Sequence, residues 1–428
     1  MAGTEVNTTP NPRYAWYVVG MLWAISFFNY ADRQAIFSVF PLLEKELGLN
    51  AVQLGLLGSS FAWVYGLMGP FAGYVVDRVS RKTAILSGLQ IWSVICAATA
   101  LCRTFPQLLA FRAAEGLGET VYYPASMSMV ADYHGWRTRS RAMGLHQTSV
   151  YVGTIGGGFF AGAIAQRYGW RWSFIVFGGL GMLLGLALKA LLREPVRGSA
   201  EGGSREFERN LPASEVTRIV FSTPTIPILI AAFMCANFVA VVLLTWMPKF
   251  LFDRFHMNLA MSGLTATLFV QLASFAGSPL GGWLADIARQ RTTRGRLAVQ
   301  ATGVLCGAPF VVWCGLTQSV GALMLALTAW GFFKGLYDGN IWASLFDVVP
   351  PNARGSIAGI MNAAAWLGGG GSAPLVIGVI AQGHGLGLAI ALASIIYVCA
   401  GILLIAGMLL FIQKDSLANV ASSRSVLL

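Results

Sequence analysis

Apolar stretches of about 20 residues recur along this chain, the length a helix needs to cross a hydrocarbon core ~30 Å thick. They predict spans over 14–40, 51–76, 84–102, 106–132, 142–166 and 172–193, then 225–252, 259–286, 297–316, 320–348, 357–381 and 387–412. Hydrophobic residues make up 56% of the chain and charged ones only 11%, against roughly 25% charged in soluble domains. The fifty glycines suit closely packed membrane helices. The expected fold is therefore an all-α membrane protein of twelve transmembrane helices.

Charge sets the expected orientation. Nineteen of the 29 basic residues fall before span 1, after span 12, or in every second loop, including Arg78, Arg81, Lys82, Arg137, Arg139, Arg141, Arg193, Arg289, Arg296 and Arg354. The alternate loops hold six: Lys45, Arg103, Arg167, Arg171, Lys249 and Arg254. Cytoplasmic loops collect Lys and Arg, so both termini are expected inside, and the net charge of +11 encodes topology rather than affinity for nucleic acid. The expected plan is a tail over 1–13, a first bundle over 14–193, a cytoplasmic loop over 194–224, a second bundle over 225–412 and a tail over 413–428. The six cysteines show no metal-ligand spacing and read as packing residues.

The two halves repeat. Gly73-x-x-x-Asp77 closes span 2, and Gly282-x-x-x-Asp286 closes span 8. Arg139-Ser-Arg-Ala-Met-Gly opens span 5, and Arg354-Gly-Ser-Ile-Ala-Gly opens span 11, 215 residues later. The same offset maps Asp132 onto Asp347. Two pseudo-symmetric six-helix bundles place a substrate site near the bilayer midplane between them.

Ionisable residues inside spans cost at least ~2.5–3.5 kcal/mol each and usually face a pathway. Asp32 and Arg33 lie in span 1, about 100° apart on a helix, so they should meet different partners. Arg112, Glu115 and Glu119 line one stripe of span 4, and Glu115 stands at pairing distance from Arg112. Lys334 in span 10 maps onto Glu119 by the repeat offset, with Asp338 one turn on as a local partner. Tyr122, Tyr123, His146, Gln147, Asn340, Trp342 and Asn362 complete a plausible polar lining; His146 reads more readily as a packing residue than as a proton relay.

These motifs carry a resemblance. Gly73-Tyr-Val-Val-Asp77-Arg78-Val-Ser-Arg81-Lys82 resembles the loop signature of the major facilitator superfamily, with Ser80 where Gly is usual. Asn29-Tyr30-Ala-Asp32-Arg33, Arg112-Ala-Ala-Glu115-Gly116-Leu-Gly118-Glu119 and Tyr123-Pro124-Ala125 are similar to its anion:cation symporter branch, which moves sugar acids and other organic anions. The spinster-like branch, which moves lysolipids, shares the first two patterns. Glu115 and Thr120 depart from them. The resemblance implies a cytoplasmic gate at Asp77, Arg78 and Arg81, extended by the repeat to Asp132, Arg139, Asp286, Asp347 and Arg354.

The expected protein is a multi-pass, monomeric transporter of a bacterial-type inner membrane, not an enzyme. It carries a small organic anion, contacts membrane lipid, and uses no cofactor beyond protons. Arg33 keeps its charge and can grip a carboxylate bidentately. Asp32 and Glu119 can be neutralised by protons. Arg112, Tyr122, Gln147, Lys334, Asn340 and Asn362 join Arg33 as expected substrate contacts. Anion and proton then favour each other's binding, which makes a symporter.

Overall fold

A computed structural model describes residues 12–135, 137–195 and 212–416. The N-terminal tail, most of the central loop and most of the C-terminal tail lie outside the described residues, as does the side chain of Asp77. The described residues form helices α1 (Pro12–Ser38), α2 (Phe40–Leu47), α3 (Ala51–Arg78), α4 (Arg81–Thr99), α5 (Phe105–Glu119), α6 (Tyr122–Tyr133), α7 (Arg139–Tyr168) and α8 (Trp170–Leu191). There follow α9 (Ala213–Ser222), α10 (Thr225–Phe255), α11 (Leu259–Arg291), α12 (Gly295–Leu316), α13 (Val320–Asp338), α14 (Ile341–Val348), α15 (Arg354–Ala364), α16 (Ala373–His384) and α17 (Leu386–Leu410).

Among the described residues, nine helical stretches are long and apolar enough to cross a membrane. The predicted spans 14–40, 84–102 and 106–132 fall on α1, α4 and α5–α6, outside those nine. Two of the three carry ionisable residues: α1 has Asp32 and Arg33, and α5 has Arg112, Glu115 and Glu119.

Three predicted spans are not continuous helices. The fourth breaks after Glu119, where Thr120 Oγ1 donates to Gly116 O at 2.6 Å and competes with the helix ladder. The tenth breaks at Gly339–Asn340, where Asn340 Nδ2 donates to Leu336 O at 2.9 Å. The eleventh widens into a π turn over Ala365–Gly370, in the glycine run Gly368–Gly371. Broken helices of this kind often mark binding sites in transporters.

Helix α1 packs on α7, α3 on α5 and α4 on α8; in the second half α12 packs on α17 and α11 on α13. The halves meet through α7 against α11 and α3 against α16. At one end this contact is backbone to backbone. Gly158 sits on Gly263, and Gly162 on Leu259, with no room for a Cβ at either glycine of the crossing. Lys249 of α10, 6% exposed, forms ion pairs there with Glu44 of α2 and with Asp253. Toward the opposite end, which carries Arg78, Arg139 and Arg354, a Cβ at Gly73, Gly144 or Gly359 would meet open space. Leu67, Phe71 and Tyr74 of α3 are exposed there. The bundle is closed at its far end and splayed at its basic end.

The repeat is realised in contacts. Arg81 pairs with Asp132, and Arg296, 215 residues later, bonds Asp347 at 2.9 Å. Arg139 Nη2 donates to Ala131 O and Arg354 Nη2 to Phe346 O, each at 3.2 Å and each across the same sequence separation.

Candidate functional site

Five ionisable side chains meet between α1 and α5. Arg33 reaches Glu119 through Nε, in an ion pair joining the two helices. Glu119 is fully buried, whereas the Arg33 side chain keeps 11% of its surface. Its Nη1 has no partner. Rings surround the guanidinium: Tyr65 at 4.4 Å from its Cζ, Tyr30 at 4.9 Å, Phe61 at 5.0 Å and Trp366 at 5.9 Å. Each such contact is worth roughly 0.5–2 kcal/mol. Trp366 comes from the π turn of the second half, so the cage closes across the two halves.

Arg112 is fully buried and pairs with Glu115, one turn on in α5. Its Cζ lies 4.9 Å from the Phe61 ring, so both guanidiniums rest against Phe61. Asp32, next to Arg33 in sequence, faces elsewhere. One of its carboxylate oxygens, Cys96 Sγ of α4 and a Glu115 carboxylate oxygen lie within 4.8 Å of one another. Neither oxygen of Asp32 has a hydrogen-bond partner. The adjacent charges of α1 thus divide as their angular offset predicts, Arg33 to Glu119 and Asp32 toward Glu115.

The other predicted contacts are scattered. Tyr122 is buried inside the first half, donating to Leu22 O at 2.7 Å and lying 3.0 Å from His146 Nε2. His146 is itself fully buried, so this pair fills the packed face of α6 on α7 rather than the space between the halves. Asn340 spends its amide on Leu336 O and is 2% exposed. Gln147 is half-buried, Asn362 and Tyr123 are exposed, and Trp342 packs edge-on to Phe233. Lys334 pairs with Asp338 on its own helix. Tyr151 of α7 lies within electrostatic reach of that pair, which sets Lys334 facing the first half.

At the basic end, Asp132 takes Arg81, Asp286 takes Arg296 at 2.9 Å, and Asp347 takes both Arg296 and Arg289, the latter at 3.4 Å. Arg78 instead lies exposed on the Tyr74 ring, 3.2 Å from its centroid. Sequence reasoning missed Phe61, Tyr65, Trp366 and Cys96. The one available signal was the pair Phe61 and Tyr65, one turn apart on α3, whose rings stack at 5.9 Å.

A family model described as Major Facilitator Superfamily matches residues 22–374. The chain is 25% identical over 351 residues to the hexuronate transporter of Bacillus subtilis (strain 168), covering 81% of this chain and 83% of that one. It is 25% identical over 402 residues to the D-galactonate transporter of Escherichia coli O6:H1, covering 89% and 92%. It is 27% identical over 386 residues to Protein spinster of Drosophila melanogaster, of which it spans 62%. A crystal structure of a bacterial homologue of the human lysosomal transporter Spinster, inward-facing and unoccupied, superposes with a TM-score of 0.85 at 22% identity, over 94% of this chain and 98% of that one. That likeness speaks to fold alone. The relatives are transporters, not enzymes, and the apolar helices make this a multi-pass protein of inner-membrane type. The chain belongs to the Major Facilitator Superfamily.

Proposed function

We propose that the protein is a proton-coupled symporter of a small organic anion of the sugar-acid class, working by alternating access as a monomer. Twelve spans divide into halves 14–193 and 225–412, with both termini and the loop 194–224 in the cytoplasm. The single observation that carries this reading is the Arg33–Glu119 pair: a permanent cation with an unpartnered Nη1, backed by a buried acid. An incoming carboxylate competes with Glu119 for the Arg33 guanidinium. Glu119 then loses its counter-charge and takes a proton, because an unpaired buried carboxylate is costly. Anion and proton are therefore bound together or not at all.

Hexuronate, D-galactonate and galactarate/D-glucarate are the cargoes named for three relatives, and they support the substrate class. A bundle closed at the Gly158–Gly263 end and splayed at the basic end suits a state open to the cytoplasm. A second reading, transport of a lysolipid-like amphiphile, is favoured by the four rings around Arg33 and by the likeness to spinster. Proteoliposome uptake of labelled D-galactonate under an inward proton gradient tests the first reading. Competition by lysolipid but not by hexuronates would favour the second.

A further inference from the structure

The space between α1 and α5 holds three acids, Asp32, Glu115 and Glu119, and two bases, Arg33 and Arg112. All five are buried or nearly so. Each base is matched to one acid, Arg33 to Glu119 and Arg112 to Glu115. Asp32 is the acid left over. It is 1% exposed, and neither of its oxygens receives a hydrogen bond. Cys96, its neighbour from α4, lies 3.7 Å from Phe174 O and within reach of Asp32, so among the described residues a weak thiol donor is the one group beside Asp32 other than Glu115. Glu115 spends Oε2 on Arg112 and leaves Oε1, also buried, without a donor. An unpartnered carboxylate, Asp32, thus lies beside the unpartnered oxygen of Glu115, with the Cys96 thiol near both and Arg112 paired to the other oxygen of Glu115. On the packed helix α7, His146 is engaged by Tyr122.

We propose that Asp32 and Glu115 hold one exchangeable proton between them, making Glu115 a member of the coupling site alongside Asp32 and Glu119. This rests on the proton-coupled reading above. One proton brings the five-group cluster to neutrality. It gives Asp32 a hydroxyl to donate and uses the acceptor that Glu115 leaves open. Two acids crowded into one dry site cannot both ionise at little cost, so one holds its proton and the other accepts from it. A proton fits better than a metal ion. A thiol and two carboxylates, with the helical carbonyls committed to their own ladders, do not make the six or so oxygen ligands that hard cations take. The carboxylate at position 115 is the departure from the family pattern noted in the sequence, and it supplies the second acid.

Infrared spectroscopy of the purified full-length chain tests this without knowing the substrate. In a pH titration the carbonyl stretch of a buried protonated carboxyl should be present at neutral pH. It should vanish in Asp32→Asn and persist in Glu119→Gln. In Glu115→Gln its midpoint should fall by about one pH unit or more, since the like charge that favours the protonated form is gone. Glu115→Asp keeps a charge for Arg112 but withdraws it from Asp32. It should shift the midpoint the same way by less, and it guards against a poorly folded Gln variant. A band indifferent to both Glu115 variants would overturn the proposal and leave Glu115 only to position Arg112. A band lost when choline is replaced by sodium would overturn it in favour of a sodium site. If the band behaves as stated but a proton gradient drives no anion uptake, the symport reading fails and the proton pair stands.

Discussion

Arg33 and Glu119 form an ion pair between α1 and α5 in which the acid is fully buried and the base keeps 11% of its side chain exposed. The asymmetry gives the two residues different work. Arg33 can meet an incoming anion, which competes with its acid for the guanidinium, and Glu119 can respond only through Arg33 or through a proton.

Arg33→Ala should weaken anion binding by tenfold or more, since a charge-assisted hydrogen bond contributes about 1.5–3 kcal/mol. Arg33→Lys should recover little, because an ammonium lacks the planar fork and stacks less well on Tyr65 and Phe61. Titration calorimetry with D-galactonate checks both. Wild-type affinity in Arg33→Ala would remove the binding role.

Lys249 ties the second half to the first at the closed end through Glu44. Both of its acids are nearly half-exposed, so Lys249→Met leaves them hydrated and removes only the tie. Opening at that end should become easier. A reporter cysteine at Ser38, 1% exposed and beside Gly263, should then label several-fold faster with an impermeant thiol reagent. Unchanged labelling would mean the glycine crossing closes this end alone.

His134 ends α6 at the basic end, with ring nitrogens 3.1 Å from Thr138 Oγ1 and 3.2 Å from Ala15 O. Burial lowers its pKa below the ordinary 6.5, against the opposing pull of Ala15 O. The fold holds it neutral, while the unfolded chain protonates it below that value. Its contribution to stability is thus complete above the unfolded pKa and is lost as pH falls from there down through the folded pKa. Thermal melts should show a decline on acidification that flattens in His134→Gln; an identical decline in the variant would assign it to other groups.

Much of this arrangement was legible in one dimension because its partners are close in sequence or related by the repeat. Arg112–Glu115 and Lys334–Asp338 follow from helical spacing. The matching Arg139 and Arg354 contacts follow from the 215-residue offset. What was not legible depends on how helices rotate against one another. The cage of Phe61, Tyr65 and Trp366 draws on two elements whose apolar faces look alike in sequence, since lipid and cavity both accept aromatics. Tyr122 and Asn340 read as cavity polars, but each is satisfied locally, by Leu22 O and Leu336 O. The breaks after Glu119 and Asp338 were hidden because a glycine or threonine alone rarely interrupts an apolar helix.

The central claim is that Glu119 links the anion on Arg33 to a proton. It is tested most directly by D-galactonate uptake into proteoliposomes under an imposed proton gradient, comparing the native chain with Glu119→Gln. The native chain should accumulate the anion against its gradient, and the variant should exchange it across the membrane without accumulating it. Equal proton-driven accumulation by both would contradict the account.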